Sequence, residues 1–390
     1  MMSTQSPKLA ALRRLFPHTQ AQIYLNHAAT GPLSRPVVRA VQRYLWQRHQ
    51  GPIDNYAELE AIVQETRRLV AQLLGTSPDR IAFAPSTSAA LGLLAQGLDW
   101  KPGDRIAIPA CEFPANVFPF LNLQRKGVVV DFIPHRNGTF TVEDVARVLT
   151  PRTRLVTLSW VQFLSGFCAD LSAIAALCHE RGIWLSVDAI QGLGALPLNV
   201  EVSGVDFLAS GTHKWLMGLQ GLALCYVRPE LQAVLHPPAG WLHGPVDWEH
   251  LTDYRLIFYP DARRYETGTL NQTALVALHA ALRLHLAAGP AWCARRVLAL
   301  QQRLGEGLEQ LGLTRYGSAD PAHASGIISV QHPQAQALAL ALQRRHIVVS
   351  VRNGMLRFSP TYYNSMQEID LTLEAVADFL GKRKRSRNAK

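Results

Sequence analysis

Short apolar runs alternate with segments of helical period between about residue 80 and residue 227. In chain order the runs are RIAFAP, RIAIPAC, VVVDFIP, LVTLSWVQ, WLSVDAI, FLASGT and LALCYV. Their apolarity is continuous rather than alternating, which predicts strands buried on both faces in a mostly parallel sheet covered by helices. The link between the last two runs is too short for a crossover helix, so LALCYV is predicted to run antiparallel. The expected fold class is α/β, with a seven-stranded sheet that contains one reversed strand.

Helical patterns flank this region on both sides. Residues 34–49 and 55–74 precede it, the second after Asp54 as an N-cap. Patterns at 272–288, 290–311, 334–345 and 367–380 follow, alternating with the strand-like pieces GIISV, HIVVSV and MLRFS, which is typical of a small α+β domain. We therefore expect an N-terminal arm that packs on the small domain, a large domain, a small C-terminal domain and a basic tail, at residues 1–22, 23–262, 263–380 and 381–390.

The net charge of +10 is concentrated at one end of the chain. The last ten residues contribute six basic side chains and no acid, and without them the net charge falls to +4: Lys382, Arg383, Lys384, Arg385, Arg387 and Lys390. We interpret this tail as a disordered, solvated extension rather than as a contact with nucleic acid or a membrane.

Cysteine spacing and hydropathy bound the class of protein. The five cysteines form no C-x-x-C pair and no zinc-site spacing with histidine, which indicates free thiols in a reducing cytoplasm and no metal site. No apolar run approaches the roughly 20 residues of a membrane span. With 48% hydrophobic and 17% charged residues, the chain is expected to be a soluble cytoplasmic protein.

Two residues of opposite charge follow neighbouring apolar runs. Asp188 ends the run in SVDAIQGLGALPL, and Lys214 comes directly after the next run in FLASGTHKW. The carboxyl ends of strands border the crevice in which α/β sheets bind ligands, so both side chains are expected there. Pyridoxal phosphate chemistry requires such a pair, because a lysine forms a Schiff base and a carboxylate keeps the pyridine nitrogen protonated. The pair predicts a pyridoxal-phosphate enzyme that acts at the α-carbon of an amino acid, and its alternative is an aspartate cap with a surface lysine.

From YLNHAATGPLS at residues 24–34 to RFSPTYYNSMQEID at 357–370, the sequence resembles the class V aminotransferase family. That family includes cysteine desulfurases, selenocysteine lyases, kynureninases and isopenicillin N epimerase, and its fold is that of the fold type I transferases. Its D-x-x-Q and H-K elements match Asp188, Gln191, His213 and Lys214. The resemblance implies that Gln191 hydrogen-bonds the phenolic oxygen of pyridoxal 5'-phosphate and that His213 supports its phosphate.

A phosphate site is predicted where APSTSAALGLLAQGL opens a helix after a strand. The free N–H groups and the dipole of a helix N-terminus favour an anion, although the same letters make an ordinary N-cap. By resemblance, Thr87 and Ser88 are the phosphate ligands. Ser210 or Thr212 is a further ligand, but S-G-T-H-K is one residue longer than the family's usual S-x-H-K, so which hydroxyl binds is left open.

The resemblance also implies how the ring and the substrate are held. Phe113, in CEFPANVFPF, occupies the position at which the family stacks an aromatic or histidine side chain on the cofactor ring. The alternative interpretation is that Phe113 is an ordinary core residue. Arg357 matches the arginine that binds the substrate carboxylate, and its alternative is an exposed residue at a strand edge. Asn26, His27 and Ala28 match the family's substrate-facing opening segment.

The segment RRYETGTLN at residues 263–271 resembles the family motif R-F-E-x-G-T-x-N. In the family its threonine reaches the phosphate of the neighbouring subunit. Thr269 therefore implies a homodimer with shared active sites.

The family resemblance leaves the reaction open. Desulfurases carry a nucleophilic cysteine ahead of the carboxylate-binding arginine, whereas VVSVRNGMLRF has none, and a phenylalanine at 113 cannot move protons. Transamination, epimerisation and β-elimination remain, all with Lys214 as the α-proton base. The sequence favours an aminotransferase-like enzyme. The alternatives are a carbon–sulfur lyase, an amino-acid epimerase, or a ligand- or nucleic-acid-binding protein on the same fold.

Overall fold

A computed structural model describes residues 6–381 of the chain, so the predicted tail from residue 382 onward lies outside the described residues. The strands are β1 (Ile23–Tyr24), β2 (Ile81–Ala84), β3 (Arg105–Pro109), β4 (Val129–Ile133), β5 (Thr153–Ser159), β6 (Trp184–Asp188), β7 (Phe207–Gly211), β8 (Ala223–Val227), β9 (Thr314–Tyr316), β10 (Ile328–Gln331), β11 (Ile347–Val348), β12 (Ser350–Arg352) and β13 (Met355–Phe358).

The main sheet has seven strands in the order β2-β8-β7-β6-β5-β3-β4. Strand β8 runs antiparallel to both of its neighbours, and the other pairs are parallel. Every residue of β2, β7 and β8 is buried, because helices cover both faces of the sheet. The predicted α/β fold with one reversed strand is confirmed.

The helices are α1 (Pro7–Arg13), α2 (Arg35–Gln50), α3 (Tyr56–Leu74), α4 (Thr87–Gly97), α5 (Phe118–Leu121), α6 (Val142–Val148), α7 (Leu171–His179), α8 (Val200–Ser203), α9 (Pro229–Gln232), α10 (Gln272–Ala288), α11 (Pro290–Gln310), α12 (Ala335–Gln343) and α13 (Met366–Phe379). The predicted N-cap Asp54 is wrong by one residue, since Asn55 precedes the first turn of α3. Within residues 6–381 no single helix is long and apolar enough to cross a membrane. Helices α10 and α11 reach that length and apolarity only together, and they are bent by 80° where they meet.

A second, smaller sheet lies near the end of the described chain. Its four strands follow the order β12-β13-β10-β9 and are all antiparallel. Leucines of α11 and α13 pack on it and form a core of their own, for example Leu300, Leu304 and Leu373. The hairpin of β12 and β13 turns through Asn353 and Gly354, both with positive φ, which is the backbone of a two-residue hairpin turn.

The first described residues contact the last helix. Arg13 donates two hydrogen bonds to Glu368, at 2.9 and 2.8 Å, and β1 pairs in parallel with β11. The Nε2 atom of His18 lies 3.1 Å from the Tyr363 hydroxyl. The opening segment after β1 then reaches the loops of the main sheet, where the Gly31 amide donates to the His213 carbonyl at 2.7 Å and the Ala28 carbonyl accepts from Gln191 at 3.0 Å.

Candidate active site

A cavity of about 470 Å³ opens at the carboxyl ends of β6 and β7. Nine of the predicted residues line it: Ala28, Thr87, Ser88, Phe113, Asp188, Gln191, His213, Lys214 and Arg357. They come from the opening segment, four loops of the main sheet and strand β13. The fold therefore gathers into one crevice residues that are up to 329 positions apart in the sequence, as the separation of Ala28 and Arg357 shows.

Lys214 follows β7 and points into this cavity. Within residues 6–381 its ammonium group makes no hydrogen bond or ion pair, and Nζ lies 5.6 Å from the centroid of the Phe113 ring. Burial lowers its pKa to about 8, partly offset by the charge of Asp188 and reinforced by Arg357 and Arg352. A lysine with a lowered pKa is a better nucleophile and base near neutral pH than an ordinary one.

Asp188 is the last residue of β6 and is 2% exposed. One oxygen accepts a hydrogen bond from the Ile190 amide at 2.9 Å, and within the described residues the other accepts none. Burial raises its pKa to about 6, although the Ile190 amide and Lys214 both favour the charged form. A cationic N–H donor at the free oxygen would satisfy this carboxylate.

Gln191 has a fixed orientation. Its Oε1 accepts from the Trp215 indole at 3.1 Å, and its Nε2 donates to the Ala28 carbonyl at 3.0 Å. Because an indole N–H only donates, the amide cannot be flipped. The second hydrogen of Nε2 remains for an acceptor in the cavity.

The start of α4 forms an anion site at one end of the cavity. Ser86 caps the helix by accepting from the Ala89 amide, whereas the amides of Thr87 and Ser88 donate to no acceptor within residues 6–381. Gly211 forms the facing wall. A Cβ there would lie 3.1 Å from Thr87 Oγ1 and 3.3 Å from the His213 ring, so glycine keeps this space open.

Arg357 is 2% exposed and is held by the chain on one side only. Its Nη1 donates to the Phe163 carbonyl at 2.7 Å, and its Nε donates to Ser350 Oγ at 3.3 Å. Burial, together with the charge of Arg352, lowers its pKa to about 10, so it is still charged at neutral pH. Arg357 lines the cavity together with Lys214, and its remaining donors can bind a carboxylate.

Phe113 covers the cavity and is 42% exposed. Its ring meets Phe163 edge to face at 5.2 Å between centroids. Glu112, the residue before it, accepts from the Ser159 amide and from Gln162 Nε2, each at 2.6 Å. These bonds fix the Phe113 loop to the end of β5, and burial raises the pKa of Glu112 to about 7.

Two predicted phosphate hydroxyls do not line the cavity. Thr212 Oγ1 donates to the Leu219 carbonyl at 2.7 Å, which closes the loop after Lys214. Ser210 is fully buried within β7, and its hydroxyl contacts the Gly211 carbonyl at 3.3 Å. That one of them binds phosphate stays a prediction, although the chain itself already uses both hydroxyls.

The opening segment is divided between different surroundings. Ala28 lines the cavity, but His27 is fully buried with Nδ1 2.8 Å from the Ser359 carbonyl and Nε2 2.5 Å from the Tyr363 hydroxyl. Burial lowers its pKa to about 3, so it is neutral. Asn26 lines a separate cavity beside β12. That Asn26 and His27 face the substrate stays a prediction, although neither residue lines the cavity of Lys214.

Thr269 lies next to the cavity rather than in it. It lines a neighbouring depression of about 950 Å³, which shares Pro85 and Ser88 with the cavity of Lys214.

Two residues that line the cavity of Lys214 were not predicted from the sequence, Arg352 and Phe163. The R-N-G spacing before Arg357 was an available signal, because it predicts a tight hairpin that brings 352 near 357.

Comparison with known proteins decides the family. Residues 23–371 match the family described as aminotransferase class-V. The chain belongs to the class V aminotransferase family. Its relatives include an uncharacterized aminotransferase, YcbU, of Bacillus subtilis, 28% identical over 94% of this chain and 96% of that protein. A cysteine desulfurase from Thermococcus onnurineus has a similar structure, with 26% identity, a TM-score of 0.87, and coverage of 98% of this chain and 100% of that one.

Class V enzymes depend on pyridoxal phosphate, so this chain is an enzyme with that cofactor. C-DES shares the fold at 23% identity and a TM-score of 0.87, with 94% of this chain and 99% of that one covered, and was solved with a glycine linked to its pyridoxal phosphate. The residues present fit the group. An unpaired lysine, a half-satisfied buried carboxylate and two free amides at the start of α4 surround one cavity, as an aldehyde, a pyridine nitrogen and a phosphate require.

Proposed function

We propose that this class V enzyme is aminotransferase-like and acts at the α-carbon of an amino acid. One observation carries the proposal: the unpaired Lys214, the buried Asp188 and the buried Arg357 surround the same cavity. The cofactor, when bound, draws electrons away from the α-carbon of the joined amino acid.

In the proposed function, some residues hold the cofactor and Lys214 also transfers a proton. Lys214 binds the cofactor and afterwards, once free, takes and returns the α-proton, for which its lowered pKa suits it. Asp188 keeps the ring nitrogen protonated through its free oxygen. Gln191 donates to the phenolic oxygen through the second hydrogen of Nε2, and Phe113 packs on the ring.

Anion binding sets the orientation of both ligands. Thr87 and Ser88 bind the phosphate through their free amides and hydroxyls, with His213 beside them. Arg357 binds the α-carboxylate through the donors that Phe163 and Ser350 leave free. The two anion sites fix which face of the substrate meets Lys214.

A persulfide mechanism finds no support in the described residues. No cysteine lines the cavity of Lys214 within residues 6–381, and the two-residue turn of β12 and β13 is too short to carry a mobile thiol. Burial raises the pKa of Cys111 to about 12, so this thiol, on the loop just before Phe113, is not activated either. A β-eliminating carbon–sulfur lyase is the second candidate, because β-elimination needs Lys214 as the α-proton base but no cysteine thiol.

We also propose a homodimer with shared active sites. Trp241, Trp248 and Tyr254 are 51%, 62% and 89% exposed, which is unusual for aromatic side chains on the surface of a monomer. Trp241 adjoins Gly268, next to Thr269, at the depression that shares Ser88 with the active site. A partner subunit covering this depression would bring its own Thr269 toward a phosphate.

The division of the chain and its location are proposals as well. We propose the arm at 1–22, the large domain at 23–262 and the small domain at 263–380, since the smaller sheet packs with α11 and α13 around a core of its own. Five free thiols support a cytoplasmic location, where cysteines stay reduced.

The test is to record the visible spectrum of the purified holoenzyme before and after each of a panel of amino acids is added. Released keto acid and sulfide are assayed in the same tubes. An aminotransferase loses its cofactor band on adding the amino acid and regains it only with a keto acid. A persistent band with accumulating keto acid would instead identify a lyase. No spectral change with any amino acid would refute both assignments. Lys214→Ala, which should lack the lysine-bound cofactor band, is the control.

A further inference from the structure

A second guanidinium group borders the active-site cavity. Arg352 lines it together with Lys214 and Arg357. In the β12–β13 hairpin, Arg352 lies opposite Met355 and Arg357 lies opposite Ser350. Side chains alternate between faces along a strand, and cross-strand partners share a face, so 350, 352, 355 and 357 all project from the same side. Both arginines therefore point from one face of the hairpin toward the same space.

Arg352 has spare binding capacity. Within residues 6–381 no carboxylate lies within ion-pair distance, and its one hydrogen bond is from Nη1 to the Val351 carbonyl at 2.8 Å. A guanidinium has five N–H donors, so most remain unused. The tight turn through Asn353 and Gly354 limits how far this end of β12 can move.

The charge balance of the cavity leaves this group without a counter-ion. Asp188 is the one acidic residue that lines the cavity in the described part of the chain. It faces the ring nitrogen in the proposed function, and the α-carboxylate occupies Arg357. Arg352 lies close enough to act on both cations, since its charge adds to burial in lowering the pKa of Lys214 and Arg357.

We propose that Arg352 binds an acidic group at the end of the substrate's side chain, so that the enzyme prefers amino acids with a side-chain carboxylate. The inference rests on the proposed function, because Arg357 must hold the α-carboxylate. Arg352 then acts as a specificity-determining residue for one class of substrate.

Two amino acids that lack an α-hydrogen allow binding to be measured without turnover, because the α-proton cannot be removed from them. α-Methylaspartate carries the second carboxylate, and 2-aminoisobutyrate lacks it. Dissociation constants for the holoenzyme are measured from the shift of the cofactor band, for the parent, Arg352→Gln, Arg352→Lys and the control Arg344→Gln. Arg344 and Arg352 are both exposed arginines. Arg344 follows α12 and does not line the active-site cavity, so it is a matched control.

The parent should bind α-methylaspartate more tightly than 2-aminoisobutyrate. Arg352→Gln should raise the dissociation constant of α-methylaspartate by about tenfold or more, which is the scale of a lost hydrogen bond to a charged group. The dissociation constant of 2-aminoisobutyrate should stay unchanged. Arg352→Lys should recover part of the loss, and Arg344→Gln should match the parent. Equal weakening of both ligands, or no preference in the parent, would overturn the assignment of Arg352 alone. Failure of both ligands to shift the parent's band would instead overturn the proposed function, and this inference with it.

Discussion

The lowered pKa of Lys214 gives a prediction for the cofactor-free protein. Only the neutral amine attacks the cofactor's aldehyde, so the rate of capture should follow the deprotonated fraction of this lysine. Burial lowers its pKa from 10.5 to about 8 against the opposing charge of Asp188. Below the pKa the lysine is protonated, so the rate should rise with pH and level off above about pH 8.

The size of the effect follows from these values. At pH 7 a lysine of pKa about 8 is roughly one-tenth neutral, whereas one of pKa 10.5 is neutral in about one molecule in 3,000. Capture at pH 7 should therefore be about 300 times faster than by an ordinary lysine of equal reactivity. The assay is the initial growth of the visible band after pyridoxal phosphate is added to apoprotein between pH 6 and 10.5. Borohydride trapping and peptide mapping would confine the measurement to Lys214. A rate that keeps rising tenfold per pH unit up to pH 10 would refute the argument from burial.

Three further predictions concern the site, the backbone beside Lys214 and a buried ion pair in the core. Asp188→Asn should retain the cofactor but slow exchange of the substrate α-proton by at least about a hundredfold, measured by NMR in deuterated water; near-parental exchange would count against the role of Asp188. Gly31→Ala should impair cofactor binding, because a Cβ there overlaps the Lys214 carbonyl oxygen, whereas in Gly92→Ala the nearest atom is 3.9 Å away and helix propensity improves; equal cofactor occupancy in both variants would contradict this. Glu266→Gln leaves Arg67 buried without its partner at 2.7 Å and should lower stability by about 3–5 kcal/mol, seen as a lower melting temperature. The exposed Glu65→Gln should change the melting temperature little, and similar shifts for the two variants would show that burial does not matter here.

The strands of the main sheet were predictable because their signal is local. Continuous apolarity marks β2 to β8, and the short link before β8 sets its direction. Strand β1 was missed, since a two-residue strand that pairs across the whole chain leaves no local pattern, whereas its partner β11 lies within the predicted strand-like piece HIVVSV. The helix bounds mostly differ by one or two residues, as for Asp54 and Asn55, where both side chains are good caps.

For the site, sequence predicted which residues meet but not how each is used. Asp188 and Lys214 end strands, and the fold brings such ends together. The sequence does not show which partner the Thr212 hydroxyl has. Only the folded loop shows that this hydroxyl donates to the Leu219 carbonyl. His27 likewise became a buried neutral group through Ser359 and Tyr363, which are more than 330 residues away.

The contacts between the opening segment and the last helix have a consequence for biosynthesis. His18 and Arg13 find their partners at Tyr363 and Glu368, separations of 345 and 355 residues. On a ribosome that releases the chain from its N-terminus, the main sheet is complete long before these partners emerge. His27 contacts the Trp215 ring, which in turn orients Gln191, so this wall of the active site stays unsupported until then. We expect a nascent chain that ends before Ser359 to have a formed sheet and a loose active site, and the last step of folding to be the one that makes the enzyme competent to hold its cofactor.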